Sequence, residues 1–262
     1  MVNTRSERLR TVRPSSTGMV APRAGAEQQM PAETGIGAVD AAAALGLDPF
    51  KSRIQLWMEK TGRQGLLQPA TVSDDVSPDA AGEVSSGSPA YWSRLLEQIL
   101  AAHYMHRTGC SVRHIQTPLQ HPQHAFMLAG PRREVVGASG ALLLECLSVG
   151  MSAAPAWAQG VPAHVRVKIV HLLAVTGAHA VDVLVLIAGQ ELQLHRMERN
   201  DTEIAWLIEQ EAMFWRGIEL DQSPPTLDEN GRQADLWPAE LAVSVQSPER
   251  TVSRRNDAVG QV

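Results

Sequence analysis

The sequence predicts an α/β chain in which helices alternate with β-hairpins. Two pairs of apolar runs are separated by glycine-containing turns, as in antiparallel strands, and cover residues 134–136 with 141–146 and 181–188 with 191–197. Three longer segments have the apolar spacing or the stop signals of helices, at 91–107, 163–176 and 201–215. Hairpins interleaved with helices favour a sheet that is flanked by helices.

The first part of the chain predicts two short helices between polar segments. Residues 1–33 are rich in Arg, Ser and Pro and predict a disordered basic arm. Helices are predicted at 39–45 and 52–60, with Leu47-Asp48-Pro49 as the break between them. Residues 71–89 are rich in Ser, Asp and Gly, which predicts a mobile insert.

The helix at 91–107 is expected to turn an apolar side to the core. The residues that recur at helical spacing are Leu95, Leu96, Ile99, Leu100 and His103. Glu97 lies between Leu96 and Gln98, so the pattern fits an exposed helix carboxylate as well as a site residue.

In the second half of the chain, Gly177 is a stop signal for the helix at 163–176. The run 181–188 is almost wholly apolar, which predicts a strand buried inside the sheet. Asp201 is expected to cap the last helix. The apolar side of that helix is predicted to consist of Ile204, Leu207, Ile208 and Met213. The expected organisation is a domain at 34–226 followed by a flexible tail at 227–262.

Composition limits the class of protein without defining its function. A chain of 262 residues with 44% hydrophobic residues is long enough for one sizeable domain with a packed core. The net charge of −5 does not indicate nucleic-acid binding, although cationic residues that line one channel are compatible with it. Two cysteines provide neither a disulfide framework nor a zinc site, and no secretory or membrane-spanning segment is evident. We therefore expect a cytoplasmic protein with no membrane partner.

Glu145 is the most informative residue because it lies inside an apolar run, Leu142-Leu143-Leu144-Glu145-Cys146-Leu147. A carboxylate in a buried strand needs a cation, a metal ion or several hydrogen-bond donors to offset its desolvation. Glu145 is therefore either a metal ligand or an acid that is neutralised within the chain.

An ordered series of short motifs resembles the YqaJ and lambda-exonuclease-like family of phage recombination nucleases. The series covers roughly residues 33–226 and consists of Gly35-Ile36-Gly37, residues 40–47, residues 57–62, residues 92–97, Arg107-Thr108-Gly109, His121-Pro122 with residues 126–129, Leu144-Glu145-Cys146, residues 171–177 and Phe214-Trp215. An ordered series is more specific than any one of its motifs.

The resemblance implies a restriction-endonuclease-like core, with a mixed central sheet flanked by helices. In this family an Asp, a Glu and a Lys two residues after the Glu surround one or two magnesium ions. The ions polarise the phosphodiester and activate the attacking water, while the Lys orients or deprotonates that water. For an intact relative the resemblance implies Mg²⁺-dependent 5′-to-3′ degradation of duplex DNA. It also implies a ring-shaped homotrimer and a single-strand annealing protein as partner.

The sequence departs from the family at the residues that carry the chemistry. Arg132 stands where the family has its Asp, and Leu147 stands where it has its Lys. The Arg and Ser that the family's first helix offers to a terminal phosphate are missing around Gly35, where Thr34 and Val39 stand. Lys168 and Val170 replace a Gln pair on the helix before His171. Glu97 and Glu145 remain.

Two accounts fit these departures. In the first, the site is degenerate, and Glu145 forms an internal ion pair with Arg132 where the metal was. In the second, the site has migrated: Glu145, Glu134 and Lys168 are catalytic, and Glu145, Glu97, Glu134 and the carbonyl of Cys146 hold the magnesium ion. We expect weak or absent hydrolysis.

The inherited role that the resemblance implies is then binding or trimming of duplex DNA ends, and we expect end binding. Arg132 and Arg133 are expected to contact a DNA phosphate, because Arg suits bidentate contacts with anions. Arg166 lies on the helix at 163–176 and would extend the positive surface. A third hypothesis is a non-catalytic interaction module that keeps a partner surface but binds no DNA.

Overall fold

Local side-chain chemistry sets the helix boundaries in the computed structural model. Ser52 and Gln55 form a reciprocal capping box at the start of the second helix. Gly177 ends the helix at 163–176 in the left-handed region, with φ of 68°, as the sequence predicted. The prediction that Asp201 caps the last helix is wrong. The Asn200 side chain accepts from the backbone N–H groups of Thr202 and Glu203, which places Asp201 in the first turn.

The structure describes residues 35–63, 65, 89–137 and 140–225. Its helices are α1 (Ala41–Ala44), α2 (Arg53–Lys60), α3 (Pro89–Thr108), α4 (Ala154–Trp157), α5 (Ala163–Thr176) and α6 (Asp201–Glu219). Its strands are β1 (Ile36–Gly37), β2 (Ser111–His114), β3 (Leu119–Gln120), β4 (Met127–Ala129), β5 (Arg133–Val136), β6 (Leu142–Val149), β7 (Ala180–Ile187) and β8 (Glu191–Glu198). The predicted basic arm and tail lie outside the described residues, as do positions 71–88 of the predicted insert.

The strands form two sheets. The five-stranded sheet has the order β2-β5-β6-β7-β8, in which β6 and β7 are parallel and the other pairs are antiparallel. The three-stranded sheet has the order β1-β4-β3. Both predicted hairpins are confirmed, and so is the α/β class with a mixed sheet flanked by helices. No helix in the described part of the chain is long and apolar enough to cross a membrane.

The five-stranded sheet separates two hydrophobic cores. Leu142 and Leu144 of β6 pack against α3, whereas Leu143 belongs to the larger core that includes α5. Successive side chains of a strand point to opposite faces. Glu145 therefore points toward α5, and Cys146 points toward α3.

The inner side of α3 differs from the predicted one. Leu100, Ala101 and Tyr104 pack on the sheet, whereas Ile99 is 54% exposed and His103 is also exposed. The buried positions at 100, 101 and 104 continue one turn back to Glu97 at helical spacing. Glu97 therefore faces the sheet, which the sequence left open.

The apolar side of α6 also differs at one position. Ile204 and Leu207 are buried, as predicted, but Met213 is 56% exposed and Phe214 is buried in its place. The sequence pattern did not separate these neighbours, because both are large apolar residues.

Candidate functional site

A cleft of about 510 Å³ is lined by residues of β1, β3, β4, β6 and α5. Glu145 of β6 belongs to its lining. The charged residues that line the cleft are Asp40, Lys60, Arg132, Glu145 and Lys168.

Glu145 forms an ion pair with Lys168. Nζ of Lys168 on α5 lies 2.7 Å from Oε2 of Glu145, and the Glu145 side chain is only 9% exposed. The sequence suggested Arg132 as the internal partner of Glu145 in the degenerate account, whereas the structure pairs Glu145 with Lys168. Lys168 thus lines the cleft from α5, and a catalytic role for it stays a prediction.

Glu97 is held by two arginines. Nη1 of Arg132 lies 2.9 Å from Oε2 of Glu97, and Nη1 of Arg133 contacts Oε1. Arg133 is buried, so its expected role as a DNA contact is wrong: its guanidinium neutralises Glu97 inside the protein. The Arg132 side chain is 59% exposed and faces the solvent.

Glu134 does not join the cleft. Its carboxylate pairs with the guanidinium of Arg113 on the neighbouring strand β2, where the two residues are register partners. The structure therefore does not bring Glu97, Glu134 and Glu145 together as a metal site. This contradicts the migrated-site account, in which Glu134 was a ligand of the magnesium ion. A ligand role for the carbonyl of Cys146 stays a prediction.

Arg166 is not on a DNA-facing surface, contrary to the expectation. Its guanidinium forms a bidentate ion pair with Glu203 of α6, with Nε–Oε1 and Nη2–Oε2 distances of 2.6 and 3.2 Å. Both residues are buried. The reason is that α5 lies between the sheet and α6, so a charged residue on this side of α5 is enclosed and needs a partner.

The Cys146 thiol lies near the Glu97 pair on the α3 side. Burial raises the pKa of Cys146 to about 12, Arg133 opposes the rise, and Glu97 and Glu145 add to it. We predict that thiol reagents label Cys146 slowly in the folded protein at about pH 8, because roughly one thiol in ten thousand is then ionised and the thiolate is the nucleophile. The rate is measured in a Cys110→Ser variant with and without denaturant. Equally fast labelling in both conditions would contradict this protonation state.

The residues of the cleft do not fit a magnesium ion. Magnesium takes oxygen ligands in a near-ideal octahedron, but each remaining carboxylate of the family pattern already carries a cation of the same chain. Across residues 35–63, 89–137 and 140–225, no three His, Cys, Asp or Glu side chains converge well enough to hold a metal ion. Arg132 adds a positive charge where the family has its Asp.

Sequence reasoning missed four charged residues in or near the cleft. Asp40 binds two lysines, with Oδ2 2.9 Å from Nζ of Lys60 and Oδ1 3.1 Å from Nζ of Lys51. No spacing rule links α1 to the end of α2. Arg94 lies one turn before Glu97 on α3 and lines a neighbouring pocket. The three-residue spacing from Glu97 was a usable signal for Arg94.

Comparison with known proteins identifies the family of the chain. The model of the YqaJ-like viral recombinase domain matches residues 30–179. The chain is 32% identical over 197 residues to the uncharacterized protein YqaJ of Bacillus subtilis (strain 168), a match that covers 74% of this chain and 56% of YqaJ. The chain thus spans about half the length of this curated relative.

Solved structures show the same fold. An alkaline exonuclease from Laribacter hongkongensis superposes with a TM-score of 0.53 at 18% identity, over 72% of this chain and 89% of the exonuclease. The structure of that exonuclease in complex with dAMP gives a TM-score of 0.53 at 20% identity, over 72% of this chain and 91% of the exonuclease. At this identity the likeness concerns the fold.

Proposed function

Because the chain belongs to the YqaJ-like viral recombinase domain family, we propose that it binds duplex DNA ends without hydrolysing them. One observation carries this proposal: both carboxylates that remain from the family pattern are neutralised by cations of the same chain, Glu145 by Lys168 and Glu97 by Arg132 and Arg133. The Glu145–Lys168 pair has no net charge, and the cluster of Glu97 with Arg132 and Arg133 keeps a net charge of +1 that attracts the anionic backbone of DNA.

Electrostatics works against a divalent cation at this place. An incoming ion would meet the guanidinium groups of Arg132 and Arg133 as well as the Lys168 ammonium, and like charges at close range repel strongly where water is partly excluded. Releasing Glu97 would also leave the buried Arg133 without its partner, which is costly. Leu147, in the position of the family's Lys, offers no group that could orient a water molecule.

The charges that disfavour a cation favour an anion. Lys60, Lys168 and Arg132 line the cleft together with Asp40 and Glu145, so its three cations and two carboxylates give a net charge of +1. Arg132 is largely exposed. A local cationic surface attracts a polyanion even when the whole chain is acidic, because the field in a cleft follows the nearby charges. The alkaline exonuclease was solved with dAMP, a nucleotide, which supports a nucleic-acid ligand for this fold.

The test is nucleotide release from 5′-phosphorylated duplex DNA with magnesium or manganese, together with binding to the same duplex. We expect no release above that of Glu145→Ala and salt-dependent binding by the wild type, since phosphate contacts displace counterions. Metal-dependent release that disappears in Glu145→Ala would overturn the proposal. Circular dichroism spectra of both proteins serve as the folding control.

An active exonuclease with a rearranged site is the second candidate. It is favoured by the 2.7 Å contact between Lys168 and Glu145, because a lysine on the adjacent helix could replace the missing one on β6. In that case Lys168→Ala would abolish release along with Glu145→Ala, whereas Glu134→Ala would leave it unchanged, since Glu134 faces Arg113.

A protein-interaction module is distinguished by the binding experiment. If the folded wild type fails to bind duplex DNA at low salt, the DNA-end role is excluded and the interaction module stands. An annealing partner and a trimeric ring remain expectations from the family resemblance.

A further inference from the structure

A second pocket, of about 460 Å³, lies beside the cleft. Its charged and polar side chains include Arg94, Arg132, Arg133, Glu97, His114 and Thr117, and we call it the arginine pocket. Arg132 lines both cavities, so the two share a wall.

The arginine pocket is a site for an anion. It contains three arginines and one carboxylate, so its net charge is +2 when His114 is neutral. Glu97 is fully engaged by Arg132 and Arg133 and therefore presents no charge of its own to a ligand. The surplus positive charge is on Arg94 and Arg132, which are both exposed.

The donors of Arg132 are held in place for such a ligand. Within the described residues, its one ion pair runs from Nη1 to Glu97, and a guanidinium has five N–H donors in a rigid plane. The pair with Glu97 anchors this plane at the pocket wall, and the Arg132 side chain is 59% exposed. A guanidinium fixed in this way is suited to a bidentate contact with phosphate.

We propose that the arginine pocket binds a phosphate group of a DNA strand directly through Arg94 and Arg132, with no bridging metal ion. This inference rests on the proposed DNA-binding function and specifies its contact. Glu97 acts as a positioning residue that orients Arg132. The phosphate is either the terminal phosphomonoester of a strand or an internal phosphodiester, which share the same chemistry.

The experiment measures the affinity of the full-length chain for a fluorescent duplex in EDTA and in magnesium, across a salt series. We expect equal affinity in EDTA and magnesium. Arg94→Ala and Arg132→Ala should each weaken binding about tenfold or more, as for hydrogen bonds to charged groups, and lower the salt slope by about one unit. Arg216→Ala, an exposed arginine on α6, is the matched control and should bind like the wild type.

The source of the phosphate is identified by comparing 5′-phosphorylated with 5′-hydroxyl duplexes. A preference for the phosphorylated end that disappears in Arg94→Ala assigns the pocket to a terminal phosphate. Equal binding of both ends, weakened equally by Arg94→Ala, assigns it to an internal phosphodiester.

The outcomes separate this inference from the function on which it rests. If the wild type binds DNA and both Arg94→Ala and Arg132→Ala keep its affinity and salt slope, phosphate binding by the arginine pocket is overturned. DNA-end binding would then remain intact. Binding that requires magnesium would also overturn it. Arg94 is exposed and outside the Glu97 ion pairs, so Arg94→Ala keeps the test valid if Arg132→Ala fails to fold.

Discussion

Replacing Glu211 with alanine is expected to lower the free energy of unfolding by about 3–5 kcal/mol, as for the loss of one partner from a buried ion pair. His171 on α5 and Glu211 on α6 are both completely buried, and Nδ1 of His171 lies 2.8 Å from Oε1 of Glu211. Nε2 of His171 lies 2.9 Å from the carbonyl oxygen of Leu128 on β4, which can only accept a hydrogen bond. Nε2 therefore donates to this carbonyl, and in the protonated imidazole Nδ1 donates to the Glu211 carboxylate, so the pair joins α5, α6 and the small sheet.

The control for this substitution is Glu209→Ala. Glu209 lies on the same helix but is exposed, so its loss should change the unfolding free energy by less than about 0.5 kcal/mol. Urea unfolding of the two variants and the wild type gives the comparison. A similar small effect for both variants would show that the His171–Glu211 pair contributes little.

The same pair gives a pH dependence with a defined sign. Burial opposes protonation of His171, but the charge and hydrogen bond of Glu211 and the Leu128 carbonyl outweigh it, so the pKa of His171 is raised. The pair's contribution is therefore complete below the unfolded pKa of about 6.5 and is lost as the pH rises through the raised folded pKa. In Glu211→Gln, which keeps the shape but removes the charge, this loss of stability with rising pH should be absent.

Removing one partner of the Arg166–Glu203 pair should be comparably destabilising. Glu203→Ala leaves the buried Arg166 without this carboxylate, and we expect a loss of about 3–5 kcal/mol. The double variant Arg166→Met/Glu203→Leu should regain most of that loss, because buried ion pairs replaced by well-packed apolar side chains are often neutral.

Unfolding of Arg166→Met, Glu203→Leu and their double variant, compared with the wild type, forms a double-mutant cycle that measures the coupling. Near-additive losses would contradict a strong pair. Folded Arg166→Met should also keep the wild-type salt dependence of DNA binding, since Arg166 lies inside the protein and not on the DNA-facing side.

How far the sequence predicted the fold can be traced to local signals. The end of α5 and the turn of the second hairpin were predictable, because Gly177 and Gly189 mark positions of positive φ and the flanking apolar runs have the helix or strand period. The end of β6 was not: it was predicted at Cys146, and the strand continues to Val149. The sequence predicted the cap of α6 one residue too late, at Asp201 instead of Asn200, because Asn and Asp side chains can both accept hydrogen bonds from backbone N–H groups at a helix start. Periodicity also failed on α3, where exposed apolar residues such as Ile99 resemble core positions.

The sequence also predicted one part of the candidate site, and the tertiary structure decided the rest. Motif order along the chain was enough to indicate the family, the two remaining carboxylates Glu97 and Glu145, and the loss of the family's Asp and Lys. The partners of those carboxylates depend on how α3, β5, β6 and α5 pack, and the residues that meet are 23 to 36 positions apart along the chain. Electrostatic pairing depends on distance in space, which no linear spacing specifies. For that reason Arg133 and Arg166 looked like DNA contacts in the sequence and became buried counter-ions once the layers were assembled.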